Sequence, residues 1–295
     1  MIRSLPRFRR SSILYIPGSD ERKIAKALSN SIVDTRVLDL EDSVAIHRKS
    51  DARANVLKAL SSTTPSKTQE LCVRINSIGS GFEHSDLVSL LKSPSLDSIL
   101  IPKVNTPSDV QYVSNLIDTI GVRKDVKILA SIESAKGLLN LGEIIGVDAQ
   151  NKNRIEAIVF AAEDYAADLG LVRTPSRTEM VLARQLVVTH AVANGLQAID
   201  LVCVDFKDEG VLREECREGR TFGFTGKQAI HPNQVQVIQE CFMPSEKEIA
   251  YATRIIEGSE HHKAKGAGAF DLDGKMIDAP VVLWAQRILA KASKK

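Results

Sequence analysis

VKILASIESAKG (126–137) and IEAIVFAAEDYAADLG (155–170) decide the fold. Each opens with a short, mostly apolar run, too brief for a core helix and closed by polar residues. Runs that are apolar on both faces read as buried parallel strands. Each run then turns acidic, at Glu133 in the first and at Glu163-Asp164 in the second. A carboxylate where a buried strand meets its loop is costly to desolvate unless a cation or partner sits beside it.

Outward from this pair, the same kind of run recurs at 12–16, 35–40, 71–75, 98–102, 198–204 and 222–225, which predicts eight strands in all. Helical periodicity fills the intervals, at 20–29, 49–60, 107–120 and 178–194. Thr106 and Pro107 mark the start of the third of these helices, and Gly195 marks the end of the fourth. Strict alternation of strand and helix predicts a parallel sheet. Eight units predict an α/β fold of the (βα)8 TIM-barrel type over residues 12–235. The alternative is an open doubly wound sheet, which the absence of a GxGxxG or Walker motif disfavours. Residues 236–295 form a C-terminal extension with helical patterns at 245–256 and 281–292. Between them lie a glycine-rich stretch, 258–268, and AFDLDGKMID (269–278), where Asp273-Gly274 signals a hairpin.

The chain has 295 residues and 43% hydrophobic content, enough for a sizeable core. A net charge of +2 and 4% aromatic residues give no field or stacking surface for nucleic acid. No apolar run has the length of a membrane span. Cys72, Cys203, Cys216 and Cys241 lack zinc-site spacing and read as reduced, mostly core residues. Arg3, Arg7, Arg9 and Arg10 fall in a first segment, 1–11, that opens without an acid. That is the charge bias of a mitochondrial presequence, a reading preferred to a frayed basic terminus.

In barrels the active site is built at the C-terminal ends of the strands. Carboxylates from successive strands, Glu133 and Asp164, without nearby His or Cys, suit Mg²⁺. Each acid taken alone also suits the start of the next helix. Arg74 reads as a fork for a substrate carboxylate or enolate oxygen, with Glu41 or Asp42 orienting it or holding metal-bound water. Lys103 offers a Schiff-base amine, ranked below the metal because the metal already supplies an electrophile. Ser19, Arg22, Lys23 and Lys26 form a basic start to the first helix, either a solvated face or a dock for substrate phosphate. His231 reads as a positioning or packing residue rather than a general base.

ILYIPGSD (13–20), LDLEDSV (38–44), VRIN (73–76), IPKV (101–104), IESAKG (132–137), FAAEDYAADLG (160–170) and GKQAIHPNQ (226–234) resemble, in order, the HpcH/HpaI aldolase and citrate lyase β-subunit superfamily. GAFDLDGKMIDAP (268–280) most resembles its citrate lyase β-like branch, which acts on citramalyl-CoA. The resemblance implies a Mg²⁺-dependent carbon–carbon lyase of barrel fold, a homotrimer, acting on a CoA thioester of a 3-hydroxy acid and releasing a 2-oxo acid. It implies Glu133 and Asp164 as metal ligands and Arg74 as the substrate-binding residue; Arg74 and, from the residue reading, Glu41 are expected to be catalytic. It also implies CoA contacts around Ser19, Arg22, Lys23, Lys26 and Lys227, and Asp278 as a catalytic residue carried by a lid into a neighbouring subunit's site. Malyl-CoA lyase, malate synthase-like and citryl lyase activities are the enzymatic alternatives. A CoA-binding regulatory barrel is the non-enzymatic one.

Overall fold

The computed structural model of the chain describes residues 6–263 and 268–293. Part of the glycine-rich stretch, 264–267, and residues 1–5 of the basic segment lie outside the described residues. The chain divides into two compact units, Met1–Gln239 and Glu240–Lys295.

In the first unit eight parallel strands close on themselves in sequence order. They are β1 (Ser12–Pro17), β2 (Thr35–Asp39), β3 (Glu70–Arg74), β4 (Ser98–Ile101), β5 (Lys127–Ile132), β6 (Ile155–Phe160), β7 (Gln197–Asp200) and β8 (Gly226–Ala229). β1 pairs with both β2 and β8, so the sheet has no edge and the open-sheet alternative is excluded. The connecting helices start on local chemistry. Asp20 accepts a hydrogen bond from the Lys23 amide ahead of the helix Glu21–Ser29. Thr106 and Asp109 form a capping box around Pro107 at the start of Pro107–Ile120.

Ile13, Val37, Cys72, Leu100, Leu129, Ala157, Val159 and Ile199 form one buried cluster. They come from seven different strands, and the barrel interior is where such residues meet. Side chains alternate along a strand, so a step of two residues towards the C-terminal ends also points inward. That step leads from Ile13 to Tyr15, from Val37 to Asp39, from Cys72 to Arg74, and from Leu129 through Ser131 to Glu133. These are the residues of the mouth.

A step of two the other way leads to Thr35, Glu70, Lys127 and Gln197, a polar floor. Arg10 fills it. Its side chain is wholly buried, its Nε and Nη2 donate to Glu70 at 2.7 and 2.6 Å, and Nη2 also reaches Glu156 at 2.8 Å. Phe8 is buried too. From residue 8 onward the basic segment is therefore built into the barrel, where Arg10 neutralises the fully buried Glu70 and pairs with the mostly buried Glu156.

The eighth strand lies four residues beyond its predicted place. Phe222 ends the helix Glu209–Phe222, and Gly223 caps it with φ of 100°. The strand itself reads GKQA, with no apolar alternation to reveal it. Gly226 is required there, since a Cβ would fall 1.9 Å from the Arg10 carbonyl oxygen.

The second unit holds the helix Glu246–Lys263, a hairpin of β9 (Phe270–Leu272) and β10 (Lys275–Ile277), and the helix Ala279–Ala292. Ala252, Ile255, Ile277, Ala285 and Ile288 make its small core. Asp273 and Gly274 both take positive φ, 55° and 74°, as a tight two-residue hairpin turn demands. Among the described residues no helix is long and apolar enough to cross a membrane.

Candidate active site

Arg74 organises the mouth. Its Nε and Nη2 each donate to Asp39 at 2.7 Å, a two-pronged pair with a fully buried carboxylate. Its Nη1 lies 2.8 Å from Glu41 and 3.5 Å from Asp42. The guanidinium also stands 5.1 Å from the centre of the Tyr15 ring. Burial alone would raise the Asp39 carboxyl, but the Arg74 charge and donors from Arg74, Ser43 and the Glu41 amide hold it below the ordinary range. The expected partners Glu41 and Asp42 are thus in place, and Asp39, the tightest partner, was missed. Its signal was available: a carboxylate inside the apolar run 35–40 is costly to bury unless paired.

Glu133 follows β5 and is buried. It does not cap the next helix, because Ser134 does, accepting from the Gly137 amide at 3.0 Å. Burial pushes the Glu133 carboxyl up, and the charge of Asp164 adds to this against hydrogen bonds from Ser131 and the Lys103 amide. Its Oε2 has no hydrogen-bond partner. An unsatisfied buried carboxylate oxygen is expensive, and it faces a cluster with a surplus of acids. Among the described residues, Asp39, Glu41, Asp42, Glu133 and Asp164 are set against three cations, Arg74, Lys103 and the buried Lys49. A divalent cation fits that surplus. Mg²⁺ keeps much of its water and takes only one or two protein carboxylates. Among the described residues no group of three His, Cys, Asp or Glu side chains is placed to hold a metal ion.

Asp164 sits in the first turn of the helix Ala162–Leu169, partly open to the mouth. Lys103 holds a left-handed conformation, φ 51°, and places its ammonium 3.0 Å from Glu41, 3.4 Å from Asp42 and 3.8 Å from Asp164. Burial opposes its charge, yet these acids outweigh burial and push its pKa up. A Schiff-base amine must lose its proton, so Lys103 fits a counter-charge and not a nucleophile. Glu41, buried first and then set among like charges, has its carboxyl pushed up to about 8 against the pull of Arg74.

Tyr15, Arg74, Ala161, Asp164, Val202 and Ile230 are among the residues around a cavity of about 380 Å³ at the mouth. Gln228, also unforeseen, locks its wall. It donates to the carbonyls of Phe160 and Asp200 at 2.9 and 3.0 Å and accepts from the Tyr15 hydroxyl at 2.9 Å. Beside the first βα loop, Ser19, Arg22 and Lys23 line a broader polar groove of about 910 Å³ with Arg48, Asp51 and Asn55. Lys26, exposed on the same helix, is not among the residues lining it.

Lys227 stands apart from the mouth. Lys227 alternates with the inward Gln228 and so faces the helix layer. It is wholly buried, with Nζ 2.9 Å from Glu215, which removes it from reach of a substrate. Asp278 lies in the second unit at the N-cap of Ala279–Ala292, partly exposed, with no capping bond from its side chain. His231 stacks on Phe206 with centroids 5.2 Å apart and accepts from the Asn233 amide, as a packing residue would.

A sequence model of the family described as HpcH/HpaI aldolase/citrate lyase matches residues 11–232. The mitochondrial citramalyl-CoA lyase of Homo sapiens is 39% identical, covering 96% of this chain and 86% of its own. A (3S)-malyl-CoA thioesterase of Cereibacter sphaeroides is 36% identical, covering 95% and 94%. The crystal structure of CitE from Mycobacterium tuberculosis in complex with magnesium, acetoacetate and coenzyme A superposes with a TM-score of 0.78 at 29% identity, covering 96% of this chain and 98% of the other.

Proposed function

The chain belongs to the HpcH/HpaI aldolase/citrate lyase family, and on that premise we propose that it is a Mg²⁺-dependent carbon–carbon lyase that converts citramalyl-CoA to pyruvate and acetyl-CoA. The observation that carries the reading is the orphaned, buried oxygen of Glu133 beside the Arg74–Asp39 clamp. It supplies a place for a cation next to a place for a carboxylate, the two features of a 2-hydroxy-acid end.

In this reading Glu133 and Asp164 hold the Mg²⁺. When bound, the ion supplies Lewis-acid polarisation of the hydroxyl that becomes the ketone. Arg74 binds the substrate carboxylate through its mouth-facing nitrogen, while Asp39 fixes the guanidinium plane. Glu41 keeps that nitrogen aligned, and Lys103 supplies the positive charge between Glu41 and Asp164. The hydroxyl proton passes into the acid cluster, the carbon–carbon bond breaks, and one proton must reach the terminal carbon of the thioester fragment. Asp278 of a neighbouring copy gives that proton, and its unit closes the mouth against water, which would quench the carbanion equivalent. This requires a homo-oligomer, for which we propose a trimer. The groove at Ser19, Arg22 and Lys23 receives the phosphates of CoA. The relatives named as mitochondrial support that compartment for this chain.

A second reading, hydrolysis of the thioester, is favoured by the thioesterase relatives. Pyruvate release from citramalyl-CoA by the full-length protein tests the first. Activity is expected with Mg²⁺ and lost with EDTA. In Glu133→Gln it is expected to fall by more than the ~10–100-fold typical of residues that only support a metal ligand. Asp278→Asn should abolish release while Mg²⁺ still binds. An EDTA-insensitive enzyme, or full activity in Asp278→Asn, would overturn the corresponding assignment.

A further inference from the structure

Asp164 has no local restraint equal to its assigned role. Its nearest cation, Lys103, stands 3.8 Å away, beyond hydrogen-bond reach. Its neighbour Glu163 is differently placed. Glu163 pairs with Nη1 of Arg173, on the segment that follows the helix Ala162–Leu169. Nη2 of Arg173 donates to the Val202 carbonyl at 3.0 Å and to Glu215 at 3.1 Å. Glu215 is buried and immobilised in turn by Lys227 at 2.9 Å and Arg177 at 3.5 Å. Arg173 therefore joins the turn bearing Asp164 to the loop after β7 and to the helix packed on β8. Glu163 and Val202 are both walls of the mouth cavity, so one guanidinium spans two of its sides.

We propose that Arg173 is a positioning residue that clamps the Glu163-Asp164 turn in the geometry needed to bind the divalent cation. The Glu163 end of the clamp is half exposed, with 51% of its side chain accessible, and exposed ion pairs contribute little to stability. The clamp acts on geometry instead. A ligand left free to drift loses affinity even when every ligand is present. Lys227 and Glu218 explain why Arg173 is not needed to neutralise its surroundings. Lys227 already serves Glu215, and Glu218 serves Arg177 and Arg184 at 2.8 and 2.7 Å.

The inference rests on Asp164 as a metal ligand, and its test separates the two. Mn²⁺, an ion that also takes oxygen ligands in an octahedron, is titrated into the full-length protein and followed by electron paramagnetic resonance. Arg173→Met and Glu163→Gln are each expected to weaken Mn²⁺ binding by about tenfold. The double variant should be no weaker than either, since the two act as one unit. Glu163→Gln should melt like the wild type, which keeps the test valid if Arg173→Met folds poorly. If Asp164→Asn loses Mn²⁺ while Glu163→Gln binds it like the wild type, the clamp is wrong and the metal site stands. Additive losses would also overturn the clamp. Wild-type binding in Asp164→Asn would overturn both.

Discussion

At Asp39 an apolar strand gives up one inward position to a carboxylate, and Arg74 across the β2–β3 pair is the reason. The two are directly opposite in register, which sets the fork on both oxygens without bending either strand. Removing one partner of a buried ion pair costs about 3–5 kcal/mol when the other charge is left uncompensated. In Asp39→Asn, Arg74 keeps Glu41 and Asp42, so stability in urea unfolding should fall by less than that, about 1–3 kcal/mol, and kcat/KM for citramalyl-CoA should fall too. A variant with wild-type stability and kinetics would make Glu41 the functional partner of Arg74. The place of Arg74, Glu133 and Asp164 at the mouth was legible because charge at the end of an apolar run is visible in sequence. Asp39, Tyr15 and Gln228 were not, because the strand-end rule looks past the last inward residue within the strand. The step-of-two rule, applied from Val37 or Ile13, finds Asp39 and Tyr15.

At the scale of elements, seven strands lie where the apolar runs place them, while β8 does not. Its side chains are spent on Lys227, which serves the helix layer, and Gln228, which serves the mouth, so apolar patterning has nothing to report. The stretch before it, FGFT, carries the apolar residues but forms a helix end and its cap. The N-terminal segment holds a role that its charge pattern does not reveal: Arg10 is the partner of Glu70 inside the barrel. Burial would lift the Glu70 carboxyl, and Arg10, with the Ser98 and Thr35 hydroxyls, more than offsets this and leaves it lowered. A depressed folded value contributes stability above the unfolded value, about 4.3, which is lost as pH falls through the folded one. In thermal melts run from neutral to acid pH, Glu70→Gln should therefore lose stability less steeply than the wild type below about pH 4.3. Parallel curves would mean that the floor acid is not linked to folding in this way.

At the scale of the whole molecule, the ordered motifs from 13–20 to 226–234 made the barrel and the family readable from one chain. The second unit was readable as a hairpin between helices, since Asp273-Gly274 is a local signal. The role of Asp278 was not readable from residues alone. A group proposed to work in another copy leaves no pattern among the strand ends of its own chain, so it entered only through resemblance. The acid surplus at the mouth suits a cation under either thioester chemistry, and the two differ in which bond breaks. Mass-spectrometric identification of the products from citramalyl-CoA, Mg²⁺ and the full-length protein decides this directly. The account predicts pyruvate and acetyl-CoA in equal amounts, and citramalate with free CoA would contradict it.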